Sequence, residues 1–234
     1  MRLDKFLSDM NIGTRKEIRK KISRKEITVE GVVAKEGKLQ VQEDTAVCIN
    51  GKAIRYKKYR YFILNKPANC LSATRDGKQK TVLDLLDAKD RVKNLHPIGR
   101  LDKDTTGLLV LTNDGDLTHR LLSPKKHVPK VYEVHTAKPV TEELIHRFQE
   151  GIYFEKEDIT TTPAEVIILS SCVAEVTIYE GKFHQIKRMF ALCENEVLQL
   201  KRIRMNNLSL PQDLKEGGYR ELTAEEFQEL SEGN

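Results

Sequence analysis

With 234 residues, 39% of them hydrophobic and 32% charged, the chain can build one large or two modest globular domains and does not have the composition of a disordered one. No apolar run approaches the roughly 18 residues of a membrane span. The N-terminal MRLDKFLSDMNIG interleaves charges where a signal peptide needs an apolar block, so a cytoplasmic protein is expected. The net charge of +5 hides an asymmetry, since residues 1–60 hold 16 Lys and Arg against 8 Asp and Glu, and the remainder holds 24 against 27. A basic segment on a near-neutral body points to a polyanion-binding appendage, with nucleic acid ahead of an anionic membrane surface.

In chain order, Leu3, Phe6, Leu7 and Met10 have the spacing of one helical face. Thr14 and Glu17 form a capping box that starts a second helix. Ile18 and Ile22 give it a narrow apolar stripe, while Arg15, Lys16, Arg19 and Lys20 cover its other sides. ITVEGVV and KLQVQ alternate like strands, and DTAVCING reads as a strand closing at Asn50-Gly51. Residues 54–60, IRYKKYR, form a polar, basic linker. Two short helices, the second basic, followed by short strands resemble an RNA-binding domain of the S-four type, on RLDKFL and ITVEG and over about residues 1–50. That resemblance implies phosphate contacts from Arg15, Lys16, Arg19 and Lys20, hence salt-sensitive binding with little sequence preference.

A second domain opens with YFILNKP, a strand ending at Lys66-Pro67. TVLDLL reads as a short helix, GLLVLT as a buried strand, DGDLTHRLL as an Asp-capped helix and KVYEVHT as a strand. Val140, Leu144, Ile145 and Phe148 mark a further helix. AEVIIL and AEVTIY are strands, HQIKRMFALC a helix with Ile186, Met189, Phe190 and Cys193 as core, and VLQLKRIRM a strand. Lys201, Arg202 and Arg204 on that last strand suit either an RNA-facing edge or a solvated face. Thr223 and Glu226 box the start of a terminal helix. The expectation is an α+β protein. A small α/β RNA-binding domain with linker (1–58) precedes a body (59–234) built on a large, mostly antiparallel mixed sheet flanked by helices.

Chemistry concentrates in GRLDKDTTGLLVLTNDG, residues 99–115, where Asp102 and Asp104 precede a buried strand. A carboxylate at a strand's mouth is held by the sheet yet open to a cleft. Turns favour Asp and Gly for backbone reasons, so the pair alone carries little weight. A phospho-aspartyl reading fails on the order of Thr and Gly. A calcium loop fails because its twelfth position, counted from Asp102, is Asn113. Cys48, Cys70, Cys172 and Cys193 show no metal-binding spacing, so no metal is expected. His184 lacks a second histidine at metal spacing and reads as a helix-start residue.

The loop resembles the signature of pseudouridine synthases, Arg-Leu-Asp followed by Thr and Gly. Three further elements fall in order around it: NKP at 65–67, KVYEV at 130–134 and EGKFHQIKRMF at 180–190. The likeness is nearest to the RsuA branch, which acts on small-subunit ribosomal RNA, although NKPANCL lacks a glycine common after the proline. Lys187 stands where related branches carry arginine. The resemblance implies cofactor-free isomerisation of uridine. Asp102 would be the reactive carboxylate, Lys187 its charge partner, Tyr132 the ring against a flipped base, and Arg100 a filler of the vacated stack or a phosphate grip. It also implies a monomer acting on 16S rRNA in a partly assembled small subunit, the alternatives being an enzyme for large-subunit (23S) rRNA or a non-catalytic RNA-binding assembly factor. The acidic TAEEFQELSEGN end fits that substrate, because large-subunit enzymes of the branch often carry a basic tail.

Overall fold

Leu3, Phe6 and Leu7 are fully buried along helix α1 (Leu3–Asp9). Helix α2 (Arg15–Ser23) starts at Thr14, whose hydroxyl accepts the Glu17 N–H at 3.3 Å while the Glu17 carboxylate accepts the Thr14 N–H at 2.7 Å. Ile18 and Ile22 turn inward, leaving Arg15, Lys16, Arg19 and Lys20 exposed. An antiparallel sheet completes this unit, with strands β1 (Ile27–Val29), β2 (Val32–Val33), β3 (Val47–Ile49) and β4 (Lys52–Ile54) in the order β2-β1-β3-β4. KLQVQ is not a strand. It makes one bridge, Gln40 to Arg2, and the Val41 N–H donates to Met1 O at 2.7 Å, so its alternation serves to staple the N-terminus.

The computed structural model describes residues 1–232 and separates the chain into two compact units, Met1–Arg60 with Leu86–Leu95, and Tyr61–Leu85 with the chain from His96 onward. The excursion Leu86–Leu95 is fixed to the first unit by Asn11 Nδ2 donating to Ala88 O at 2.6 Å and by Arg60 pairing with Asp90 at 3.0 Å.

The second unit is built from β5 (Tyr61–Lys66), β6 (His96–Pro97), β7 (Thr106–Thr112), α3 (Gly115–Leu122), β8 (Lys130–Thr136) and α4 (Glu142–Glu150). There follow a small hairpin of β9 (Tyr153–Phe154) and β10 (Ile159–Thr160), then β11 (Glu165–Ser170), β12 (Val173–Ile178) and α5 (Gln185–Leu192). The unit ends with β13 (Val197–Met205), β14 (Leu208–Ser209), β15 (Tyr219–Glu221) and α6 (Ala224–Ser231). TVLDLL forms only a 3₁₀ turn at Val82–Leu85. Nine strands make one mixed sheet in the order β11-β12-β8-β13-β7-β5-β15, with β14 on β13 and β6 on β7, the α+β architecture anticipated. Every pair is antiparallel except β13 with β7.

Packing explains which strands read as continuous apolar runs. On β7, Leu108 and Val110 meet Ile63, Leu117, Leu121 and Leu230 in a core beneath α3 and α6. Leu109 and Leu111 are equally buried, so β7 is covered on both faces. Helix α5 buries Ile186, Met189 and Phe190, and Phe190 meets Phe148 of α4 edge-on at 4.9 Å. Gly107 is required where β7 touches β13. Its φ is +97°, and a Cβ there would stand 2.2 Å from the Arg202 carbonyl oxygen.

Candidate active site

The loop before β7 is tied down by groups that carry no reactivity themselves. Ser72 Oγ donates to Leu101 O at 2.9 Å and accepts the Leu101 N–H at 3.1 Å. Thr105 N–H closes a turn onto Asp102 O at 3.2 Å. Beneath it the fully buried Lys66 ammonium donates to Thr105 O, Pro67 O and Lys103 O at 2.8, 3.0 and 3.2 Å. Burial pushes that ammonium below its usual range, and three carbonyls are a neutral way to satisfy all three of its donors. Neither Ser72 nor Lys66 stands out in the sequence as a loop anchor. The NKP pattern locates Lys66 at a strand end, but a continuous apolar run gives no hint that its terminal lysine points inward.

From this frame the Asp102 side chain, a quarter exposed, projects into a cleft. Arg100, exposed, lines the same cleft from two residues earlier. Tyr132, 7% exposed on the interior strand β8, forms another wall, with Ile178, Ile186 and Leu200 as apolar lining. Arg100, Asp102 and Tyr132 are thus brought to one cleft by the loop and the sheet together.

Helix α5 supplies the positive side. Lys187 Nζ lies 3.5 Å from Asp102 Oδ2, but its shorter contact, 2.6 Å, is to Asp104 Oδ1. That ammonium holds the Asp104 carboxyl below the usual carboxylate range. The lysine therefore sits between two carboxylates, one within the cleft and one mostly exposed, where the sequence pattern points only to the first.

One turn earlier, His184 takes the N-cap position of α5 in a left-handed conformation, φ +50°, with no side-chain cap. Its position opens the helix as expected, and its ring also faces Asp102. Nε2 lies 3.6 Å from Asp102 Oδ1, and the ring stacks on exposed Phe183 at 3.8 Å between centroids. The three-residue spacing of His184 and Lys187 places both on one side of the helix start, a signal the lone histidine obscures.

The turn before α5 is organised by Glu180, which accepts from Thr162 N at 3.0 Å, Gln185 Nε2 at 2.9 Å and Lys182 Nζ at 2.6 Å.

Arg202 is the clearest departure from expectation. It is only 2% exposed and belongs neither to an RNA-facing edge nor to a solvated face, because β13 is an interior strand and Arg202 stands opposite Tyr132 in the ladder. Its Nε donates to Leu108 O at 2.8 Å. In the first unit, none of Arg15, Lys16, Arg19 and Lys20 is held in an ion pair among the described residues, so all four charges face solvent.

Comparison with known proteins places the chain in a family. The family model for RNA pseudouridylate synthases matches residues 60–192, and that for the S4 domain matches residues 1–47. An uncharacterized RNA pseudouridine synthase of Bacillus subtilis, YtzG, is 45% identical over 99% of each chain. The ribosomal small subunit pseudouridine synthase A of Vibrio cholerae is 41% identical over 97% of each. A pseudouridylate synthase crystal structure superposes with a TM-score of 0.69 at 36% identity, covering 98% of this chain and 99% of the other. With a carboxylate, an aromatic and a basic helix gathered at one cleft and these likenesses spanning the whole length, the chain belongs to the RNA pseudouridylate synthase family, whose members isomerise uridine in RNA.

Proposed function

We propose that the protein converts one uridine of small-subunit (16S) ribosomal RNA to pseudouridine, acting as a cytoplasmic monomer on a partly assembled particle, with Asp102 as the reactive carboxylate. The observation carrying this is the cleft itself, where Asp102 meets Tyr132 and Arg100 while Lys187 approaches from α5. The substrate follows from full-length likeness to enzymes named for the small ribosomal subunit. In the reaction the N1–C1′ bond breaks, the base turns, C5 bonds to C1′, and the C5 proton leaves as N1 gains one. No group enters from outside, so the chemistry asks for no cofactor.

Asp102 is placed to attack the sugar or base or to take a ribose proton. Tyr132 supplies a flat wall for a base swung out of its stack. Arg100, on the rim, suits the vacated stack or a neighbouring phosphate. Lys187 and His184 set the position and field of Asp102. Residues 1–58 would anchor RNA through Arg15, Lys16, Arg19 and Lys20, leaving residues 59–234 as the catalytic domain.

The test incubates purified wild-type and Asp102→Asn proteins with small- and large-subunit rRNA transcripts, bare and bound to ribosomal proteins. Pseudouridine is expected in small-subunit RNA with the wild type alone, at nearly unchanged RNA affinity in the variant. Product only in large-subunit RNA would overturn the substrate. Turnover by Asp102→Asn would overturn the role of the carboxylate.

A further inference from the structure

Lys130 and Arg202 are 9% and 2% exposed, and no ion pair holds either among the described residues. Lys130 Nζ donates to Val128 O at 2.9 Å, leaving two of its three donors uncommitted. Among the described residues Arg202 gives one bond, to Leu108 O, and its Nη2 has no partner. Lys130 and Tyr132 are two residues apart on β8 and share a face, and Arg202 stands across the ladder from Tyr132. All three line one cavity of about 710 Å³, the size of a small-ligand pocket.

The wall of this cavity is positive in excess, with Lys130, Arg202 and two further cations against one carboxylate. Arg100 and Lys182 add to it, and its carboxylate, Glu180, already accepts from Thr162, Gln185 and Lys182. The cavity continues into the cleft of Asp102, because Arg100, Tyr132, Gly181 and Lys182 line both. Burying two cations side by side is costly, and the Glu180 carboxylate offsets only part of that cost at Lys130. Burial, and then the Arg202 charge, push the Lys130 ammonium down to about 8. An arriving anion would reverse that penalty. A uracil ring, being neutral, needs only neutral donors and acceptors, whereas two cations match a negative group.

We propose that the Lys130–Arg202 cavity binds a phosphodiester group of the substrate RNA, at or next to the nucleotide whose base rests on Tyr132. This rests on the reading of Tyr132 as the wall for the flipped base. Unlike the exposed basic residues of α2, these cations are fixed by strands and largely buried, so they position one phosphate and do not merely attract a strand.

The test is equilibrium binding of full-length protein to the small-subunit rRNA transcript between about pH 7 and pH 9. The groups facing Lys130 are Arg202 from β13, Glu180 and Lys182 from the turn before α5, Tyr179 beside them and Arg100 from the loop before β7. Wild-type affinity should fall about tenfold as Lys130 loses its proton. Lys130→Met should bind about tenfold more weakly at neutral pH and lack that fall. Lys130→Arg should keep neutral-pH affinity and also lack the fall, since a guanidinium stays charged. Met and Arg variants both binding like wild type, with the same pH dependence, would overturn the proposal. Binding is read apart from turnover, so a wild-type protein that makes no pseudouridine would refute the active-site reading and leave this measurement intact.

Discussion

Replacing Lys130 by Met should stabilise the free protein below about pH 8 and lose that advantage at higher pH. Burial and the Arg202 charge lower this ammonium from 10.5 to about 8 in the folded chain. A tenfold change in proton affinity is worth about 1.36 kcal/mol, so the charged form costs the fold roughly 3 kcal/mol relative to the unfolded chain. Between the two values the unfolded chain holds the proton that the folded chain has released. Stability attributable to this group therefore rises as pH climbs from about 8 and levels off near 10.5. Methionine has similar length and no charge, and its main cost is the lost bond to the Val128 carbonyl, about 1 kcal/mol. Urea melts of both proteins at about pH 7 and about pH 9.5 measure the effect as a difference, in which other titrating groups such as Lys66 cancel. The gap between variant and wild type should shrink by roughly 2 kcal/mol from the lower to the higher pH. A gap that does not change with pH would mean that Lys130 is not a charged, desolvated group, and the phosphate site would lose its physical basis.

The remaining expectations concern the two ends of the proposed machinery. Lys187→Met should lower the single-turnover rate at least about 100-fold, because it strips the cation from Asp102. Asp104→Asn should change the rate by less than about fivefold if Lys187 chiefly serves the cleft, and a larger loss from Asp104→Asn than from Lys187→Met would reverse that assignment. Changing Arg15, Lys16, Arg19 and Lys20 together to Gln should leave the melting temperature almost unmoved, since all four are exposed. The same variant should flatten the salt dependence of RNA binding by a slope of about 3 in a log–log titration. An unchanged slope would remove α2 as the phosphate-binding face.

The parts of this protein that announce themselves in sequence are those where local and global preferences agree. Thr14 and Glu17, and again Thr223 and Glu226, cap helices just as their spacing implies. Asp114 caps α3 through the Leu117 N–H. KVYEVHT and AEVTIY become strands because alternation and β-branched content coincide. KLQVQ has the same alternation and fails because no neighbouring strand takes its backbone beyond the bridge of Gln40 to Arg2. Alternation describes a face, and a partner must still exist.

Buried cations are the hardest feature to read, and they matter most for the site. Lys66, Lys130 and Arg202 all lie on strands, where a basic residue ordinarily marks the solvent side. The contrary signal lies in the period of two. Lys130 shares its face with Tyr132 and Val134, and Arg202 shares its face with Leu200, all buried. Strand parity therefore places Lys130 and Arg202 on the cleft-lining face with Tyr132 and Leu200, and a buried cation there needs carbonyls, a carboxylate or an incoming anion. Lys66 takes the first course, with three carbonyls and no cavity required. Lys130, with one carbonyl, only the partial offset of Glu180 and an open cavity beside Tyr132, is left with the last. The same burial that makes Lys130 a cost to the free protein makes it a selective contact once RNA arrives, so the stabilising Lys130→Met substitution is also the one expected to weaken binding.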